Sequence, residues 1–551
     1  MALIEFQKKQ FEEEIGKLDE EMKERVAMFG TPLEKVTENA LSVEIFPNRP
    51  DLLSFQGFKR AFRAFLGKNT GLKDYKLNKP EKNYNVTIDS SVKDVRPYTA
   101  CAIIKGLKLN NEKIKEIMDI QEKIHLTLGR KRKKLAIGIY PLDKIKLPIT
   151  FSALEPDKIK FTPLDSDKEM SGLEILQKTV AGKEYASLLA GKAKFPIFTD
   201  AENKILSMPP IINSQETGRI SSNTGDVFVE CSGFDMKILN KCLNIIVTCL
   251  ADMGGKIYQM EIKSGLAKKI ITPDLTPEKM KLSIENTNKL LGLELKEKEI
   301  KNFLEKMGHN YNKKEVISPA WRTDILHEVD LIEDIAIAYG YENFVPVIPA
   351  VSTIGEEDKK EIIKRKLAEI LAGLGLLEVS NYHLTSKDDL FSKMGISEKQ
   401  EKGFIEVEQS KTDYKILRKD LAHYLMKNLS ENVDVEYPHR IFEIGKVFNI
   451  EPKTDKITEH ESLAIAISPG NFTELKQILE YIFRMLGIVV KISEPNNSPA
   501  SHFIEGRTIE IKIGDTTVGT LGEIHPKILN NWKIKMPVAL MEISLEQVLN
   551  R

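Results

Sequence analysis

The spacing of apolar residues along the chain predicts an alternation of helices and strands that separates into several blocks. Residues 1–85 open with a Lys/Glu-rich helical stretch, Glu12 to Met28, followed by a strand over Leu41–Phe46. In PNRPDLLSFQGFKRAFRAFLG, Pro47 to Gly67, prolines frame a turn and Asp51 is placed as a helix N-cap. Phe58, Ala61, Phe62 and Phe65 then form a helical stripe, which Gly67 stops. Lys59, Arg60 and Arg63 fall on the opposite face, where a solvated basic surface is expected.

Residues 86–268 read as a larger mixed block. VRPYTACAIIKGLKL alternates like a strand and leads into a helix over Asn111–Leu128. GRKRKK, Gly129 to Lys134, carries five cations in six residues and precedes the buried-strand run LAIGIY. That loop suits either phosphates or a soluble turn, and composition leaves both open. Between Lys204 and Asp235, small polar residues punctuate two apolar runs, Pro210–Ile212 and Val227–Val229, before an apolar helix over Cys242–Met253.

Residues 269–345 contain two short helices, Ile284–Leu291 and Lys296–Met307, and a strand at Val316–Ile317. PAWRTDILHEVDLIEDIAIAYGYENF follows. Leu331, Ile332, Ile335, Ala336 and Tyr339 make its apolar stripe, and Gly340 is placed to end the helix. Residues 346–551 predict helices over Lys359–Leu376 and Tyr414–Asn432, with strands in HRIFEIGKVFNI, LAIAIS, RTIEIKIG, TTVGTLGEI and VALMEISL. This last block reads as α+β on an antiparallel sheet.

A chain of 551 residues exceeds one ordinary core, so three or four domains are expected. Lys+Arg and Asp+Glu balance at 81 each, so nucleic-acid contact must come from local patches. No apolar run approaches the roughly 20 residues of a membrane span, and the charged N-terminus is no signal peptide. Cys101, Cys231, Cys242 and Cys249 are too scattered for a disulfide framework or a zinc site; they read as small buried side chains in a reducing cytoplasm. No Walker or GxGxxG loop is present, and the histidines are not paired at metal spacing.

One array changes the picture. Asp330, Glu333 and Asp334 share a helix stripe, and Asp324 lies six residues upstream of the first of them. Like charges at such spacing destabilise a helix by about 0.2–0.5 kcal/mol per pair. Water, a basic neighbour or a hard divalent cation would each offset that. Spacing by itself favours the solvated face.

Several stretches together resemble one family, the beta subunits of phenylalanyl-tRNA synthetase in their shorter archaeal/eukaryotic-like form. They are PNRPDLLS (47–54), RPYTACAIIKGL (96–107), SMPPIINSQETGRI (207–220), GDVFVECSGFD (225–235) and PAWRTDILHEVDLIEDIAIAYGYEN (319–343). YKILRKDL (414–421), RIFEIGKVF (440–448), EGRTIEIKIG (505–514) and GTLGEIHP (519–526) continue the series in the same order.

The resemblance implies an α+β multidomain chain in four parts: an N-terminal domain (1–85), a mixed tRNA-editing domain of B3/B4 type (86–268), a small helical/winged, DNA-binding-like domain of B5 type (269–345), and a class II synthetase-like, antiparallel-sheet catalytic-like domain without catalytic motifs (346–551). Arg418 is the nearest candidate for a class II arginine there, and it is expected mid-helix in a structural role. The implied partners are an alpha subunit, in an α2β2 heterotetramer that binds ATP and makes the adenylate on the alpha chain, and tRNA(Phe). The implied setting is cytoplasmic. Neither an oligonucleotide-binding insertion nor a C-terminal anticodon-binding domain is expected. In the family's pattern D-x5-D-x2-E-[DE] binds Mg²⁺, which maps onto Asp324, Asp330, Glu333 and Asp334, in a structural role at the subunit junction.

The implied activity is hydrolysis of tyrosine misattached to tRNA(Phe). An apolar pocket rejects an added hydroxyl by only roughly 10²-fold, so a second sieve is useful. With no activated Ser–His pair in the block, water attack positioned by polar groups and the tRNA's own hydroxyl is expected. The candidates are Asn213 and Ser214 as pocket-lining groups, Glu230 as acceptor for the tyrosine hydroxyl, and Asp235 as support. Turn or capping roles stay open for each. Tyr140-Pro141 stands where family members often carry His-Asp or Tyr-Asp, which leaves open a non-enzymatic tRNA-binding or assembly scaffold with a vestigial pocket. A stand-alone deacylase would need only residues 86–268, and the other ordered blocks argue against it.

Overall fold

The computed structural model describes residues 2–264, 269–350, 352–397, 404–408, 410–451, 454–495 and 502–549. The expected boundary at residue 268 falls on 265–268, outside the described residues. The chain forms two compact units, Met1–Ile348 and Pro349–Arg551.

In the first unit, the strands Ala2–Gln7, Ala40–Ile45 and Leu33–Val36 make a small antiparallel sheet under a phenylalanine cluster. Phe6, Phe11, Phe29, Phe58, Phe62 and Phe65 pack there with ring centroids 5.0–6.4 Å apart. The first helical stretch is two helices, not one: Lys8–Glu14 and Glu20–Met28. Gly16 takes φ +155°, and Asp19 caps the second helix by accepting the Met22 N–H. The helix Phe55–Phe65 is capped by Ser54 rather than Asp51. Pro50 starts a one-turn 3₁₀ segment, Pro50–Leu52, which delays the cap by three residues and buries Asp51 against Arg49. Gly57 is required, because a Cβ there would lie 2.0 Å from the Asp51 carbonyl oxygen.

An 11-stranded sheet dominates this unit. Val227–Gly233 runs antiparallel between Tyr98–Lys105 and Leu135–Pro141. Leu135–Pro141 and Val227–Gly233 are buried throughout, so their near-continuous apolar runs serve two cores. One face, with Val227, Val229 and Cys231, packs under the helices Asn111–Leu126 and Met236–Asp252. The other, with Phe228 and Tyr140, faces a second core with Cys101, Ile103 and Met208. All four cysteines are free and buried. A three-stranded sheet, Glu278–Lys281, Glu315–Ser318 and Asn310–Asn312, shares its core with the helices Ile284–Leu291, Glu297–Lys306 and Glu328–Tyr339. Gly340 ends the last of these at φ +97°.

The second unit is built on seven strands in the order Leu377–Glu378, His439–Ile450, Ile457–Ser468, Ala539–Ser544, Thr516–Ile524, Phe503–Ile513 and Val490–Ser493. All pairings are antiparallel except that of the short Leu377–Glu378 strand. Lys359–Gly373 and Phe472–Met485 cover one face, and Ala422–Glu431 covers the other. The helix expected from Tyr414 starts only at Ala422. Ile416–Leu417 is instead a short strand paired with Leu384–Thr385. Arg418 therefore lies ahead of the helix, buried, with its Nη1 2.6 Å from Glu443 Oε1 and its Nε donating to the Lys446 carbonyl.

Candidate functional site

Glu230 sits mid-strand in Val227–Gly233, directly opposite Gly138 on one side and Cys101 on the other. Strand alternation turns it to the face that carries Phe228 and Tyr140, and it is only 2% exposed. A carboxyl buried there needs polar company. Tyr140, two residues along from Gly138, supplies it: the phenol lies 3.3 Å from Glu230 Oε1, donates to Ser207 Oγ at 2.8 Å, and stands 3.4 Å from Asn213 Oδ1. The tyrosine ring stacks on Phe228 at 5.8 Å. Gly138 makes the arrangement possible, since a Cβ there would lie 2.2 Å from the Tyr140 hydroxyl and 2.6 Å from Glu230 Oε1. Among the described residues Glu230 Oε2 is buried with no hydrogen-bond partner.

Burial raises the Glu230 carboxyl to about 8, against the pull of Arg96 and the bonds from Tyr140 and Ser232. At neutral pH it is therefore mainly protonated, and it can donate a hydrogen bond as well as accept one. Arg96 is buried alongside, donating from Nη2 to the Ser232 carbonyl at 2.6 Å and from Nε to Ser232 Oγ at 3.1 Å. Burial, and then the charge of Glu230, pushes the Tyr140 phenol well above its usual range.

Of the four residues expected in the pocket, Glu230 and Asn213 come together through the Tyr140 hydroxyl. Ser214 does not join them: it is buried, donates its N–H to the Leu206 carbonyl, and lines a separate polar cavity of about 660 Å³ with Thr162, Thr199 and Lys204. Asp235 is exposed and caps the helix Met236–Asp252, accepting from the Lys237 and Ile238 N–H groups. Ser207, Arg96 and Gly138 carry no site signal of their own in the sequence, although all lie inside the stretches SMPPIINSQETGRI, RPYTACAIIKGL and LAIGIY. Their signal is register, visible only once the three strands are paired.

The basic loop Gly129–Lys134 holds Arg130, Lys131 and Arg132 at φ +48°, +53° and +61°. Arg132 turns inward, reaching Glu122 at 3.1 Å and the carbonyls of Pro210 and Ile211, while Arg130, Lys131, Lys133 and Lys134 stay exposed.

The acidic helix is more tightly engaged than its spacing implied. Arg322, 3% exposed, pairs with both oxygens of Asp324 at 2.8 and 2.6 Å and with Asp334 Oδ2 at 2.8 Å. His309 Nε2 lies 2.7 Å from the same Asp334 oxygen. Burial alone would push Asp334 up, but Arg322 and His309 together hold it well below the carboxylate range. Asp330 accepts the Leu326 and His327 N–H groups, and Glu333 accepts the Tyr341 hydroxyl. Among the described residues no group of three or more His, Cys, Asp or Glu converges as metal ligands. In this arrangement the four carboxylates do not fit a divalent ion, because the oxygens of Asp324 and Asp334 that would face it are already bonded to Arg322 and His309.

Comparison with known proteins bears on the whole chain. A beta subunit of phenylalanine–tRNA ligase from Thermococcus sibiricus is 40% identical over 508 residues, covering 90% of this chain and 89% of that protein. One from Archaeoglobus fulgidus is 37% identical over 526 residues, covering 95% and 94%. The chain belongs to the phenylalanyl-tRNA synthetase beta-subunit family. Within it, family models match residues 90–245 (B3/4 domain), 280–341 (tRNA synthetase B5 domain) and 345–545 (phenylalanyl tRNA synthetase beta chain CLM domain). The Glu230 cluster and the acidic helix of this family member fall within the first two. A crystal structure of an N-terminal fragment of the beta subunit from Pyrococcus horikoshii, 38% identical, superposes with a TM-score of 0.59 over 61% of this chain and 99% of that fragment. No helix among the described residues is long and apolar enough to cross a membrane.

Proposed function

We propose that the chain works as the beta subunit of a phenylalanine–tRNA ligase, supporting ATP-dependent attachment of phenylalanine to tRNA(Phe) at a site on an alpha partner, in a cytoplasmic α2β2 complex. In this reading residues 1–85, 86–268, 269–345 and 346–551 are its four functional parts, and the last is a class II-like domain that makes no adenylate. The Glu230 cluster edits: it reads the hydroxyl of tyrosine misattached to tRNA(Phe), and water adds to the ester carbonyl while the ribose oxygen leaves with a proton.

One observation supports the editing role. Glu230, Ser207 and Asn213 already surround a phenol oxygen, that of Tyr140, next to an apolar wall. A site complementary to a phenol hydroxyl leaves buried polar groups unpaired when phenylalanine enters, so it discriminates far more strongly than an apolar pocket does. For a substrate tyrosine to take the same partners, the Tyr140 ring has to yield its place. That requirement favours a second reading, a scaffold subunit whose pocket is closed by its own side chain.

Deacylation of tyrosyl-tRNA(Phe) by the chain co-purified with its alpha partner separates the two. Editing requires hydrolysis by the wild type and its loss in Glu230→Ala; an inert wild type supports the scaffold. ATP–pyrophosphate exchange by the chain without its partner would overturn the placement of the synthetic site. A magnesium ion at Asp324, Asp330, Glu333 and Asp334 belongs to the proposal only if Arg322 releases its two carboxylates in the assembled complex.

A further inference from the structure

The unit Met1–Ile348 holds a cavity of about 480 Å³ whose lining includes no residue of the Glu230 cluster. Two sequence stretches far apart in the chain meet on it. The turn after Pro47 contributes Arg49 and Asp51, and Pro319–Arg322 contributes Trp321 and Arg322. The helix Phe55–Phe65 adds Lys59, Arg60 and Arg63, and Lys73 and Asp252 complete the charged wall. Six cations thus face the cavity with two carboxylates, while Glu14 pairs with Lys59, and Asp324 and Asp334 with Arg322, from outside its lining.

These cations do not form the solvated face expected of Lys59, Arg60 and Arg63. The Arg60 side chain is 9% exposed and that of Arg322 3%. Burial would pull both down, yet the groups around them hold them above the usual range: Tyr75 and Asp252 for Arg60, Asp334 and Asp324 for Arg322. Arg49 is fixed in a two-pronged pair with Asp51 at 2.9 Å. The pairing is incomplete at one end. Asp252 serves Arg60, Lys73 and the Tyr75 hydroxyl together. Arg63 has no carboxylate partner among the described residues; its Nη1 donates to the Glu14 carbonyl, and its Nε is buried and unpartnered. One carboxylate shared between Arg60 and Lys73, and a guanidinium with an unused donor, therefore meet on the wall formed by Arg63 and Lys73.

We infer that this cavity binds a phosphate-bearing ligand. A phosphate group offers several strong acceptor oxygens and more than one negative charge, which suits convergent guanidinium and ammonium donors better than a single carboxylate does. The phosphate comes either from a free nucleotide or from the backbone of bound RNA. Trp321 reports occupancy: its ring lies edge-on to Tyr75 at 5.4 Å and under the Arg60 guanidinium at 4.6 Å, so an anion drawing on Arg60 changes its surroundings.

The test uses the full chain carrying Trp532→Phe, which leaves Trp321 as its one tryptophan. Its emission is followed while pyrophosphate, AMP or an unmodified tRNA transcript is added. A saturable change is expected with at least one probe, weakened about tenfold or more in Arg63→Gln/Lys73→Gln, with an unchanged melting temperature. Saturation by AMP identifies a free nucleotide as the source, saturation by pyrophosphate shows that phosphate alone suffices, and saturation by tRNA only identifies the RNA backbone. No saturable change with any probe at millimolar concentration, or equal affinity in the double variant, overturns the inference. If the double variant melts early, Lys73→Gln, whose side chain is half exposed, carries the same comparison.

Discussion

Glu230→Gln isolates the acid of the candidate site. In the folded chain the Glu230 carboxyl is raised by burial from the ordinary 4.5 to about 8. Between those values the folded state holds a proton that the unfolded state has released. Stability from this group is therefore complete below pH 4.5 and is lost as pH rises through 8. The slope reaches at most about 1.4 kcal/mol per pH unit, so a change from about pH 5.5 to about 7.5 removes roughly 2–3 kcal/mol. Glutamine keeps the shape and a polar contact with Tyr140 but cannot titrate, so its slope vanishes. Whole-chain melting would mix two signals, because burial also raises Glu542 to about 8 in the other unit. The assay is therefore local: amide hydrogen exchange in Leu135–Pro141 and Val227–Gly233, compared between variant and wild type at each pH. Protection that falls with pH equally in both would refute the placement of that proton on Glu230.

Other perturbations test the surrounding framework. Gly138→Ala puts a methyl 2.2 Å from the Tyr140 hydroxyl and is expected to destabilise the Met1–Ile348 unit by about 1–3 kcal/mol, read by urea denaturation; wild-type behaviour would mean the cluster opens freely. Arg418→Met leaves Glu443 buried and unpaired, at about 3–5 kcal/mol in the Pro349–Arg551 unit, and adding Glu443→Gln should recover part of that loss. Arg322→Gln frees Asp324 and Asp334 from their cation, so calorimetric titration with Mg²⁺ should give tighter binding in the variant than in the wild-type chain; equal binding would show that Arg322 does not compete with the ion.

What was legible in the sequence is what depends on near neighbours. The stripe of Leu331, Ile332 and Ile335 and the phenylalanines of Phe55–Phe65 are buried as their period requires, and the strands of the second unit lie where alternation put them. Local reasoning failed where a short competitor intervened. The Pro50–Leu52 turn moved the cap from Asp51 to Ser54, and the short strand Ile416–Leu417, paired with Leu384–Thr385, took the place of the first turns of the expected helix and left Arg418 ahead of it. The fate of individual charges was not legible at all. Arg60 reads as surface until Asp252, 192 residues away, is brought against it, and Asp334 reads as part of a solvated acidic face until Arg322 and His309 close on it. The site follows the same rule: Glu230 was visible as a lone acid in an apolar strand, but the phenol facing it comes from Tyr140, 90 residues earlier, through a gap left by Gly138. Hydrophobic burial follows a period along the chain and can be read from it. Whether a buried charge is neutralised, paired or left for a ligand depends on which distant strand or helix packs opposite, and only the tertiary structure decides that.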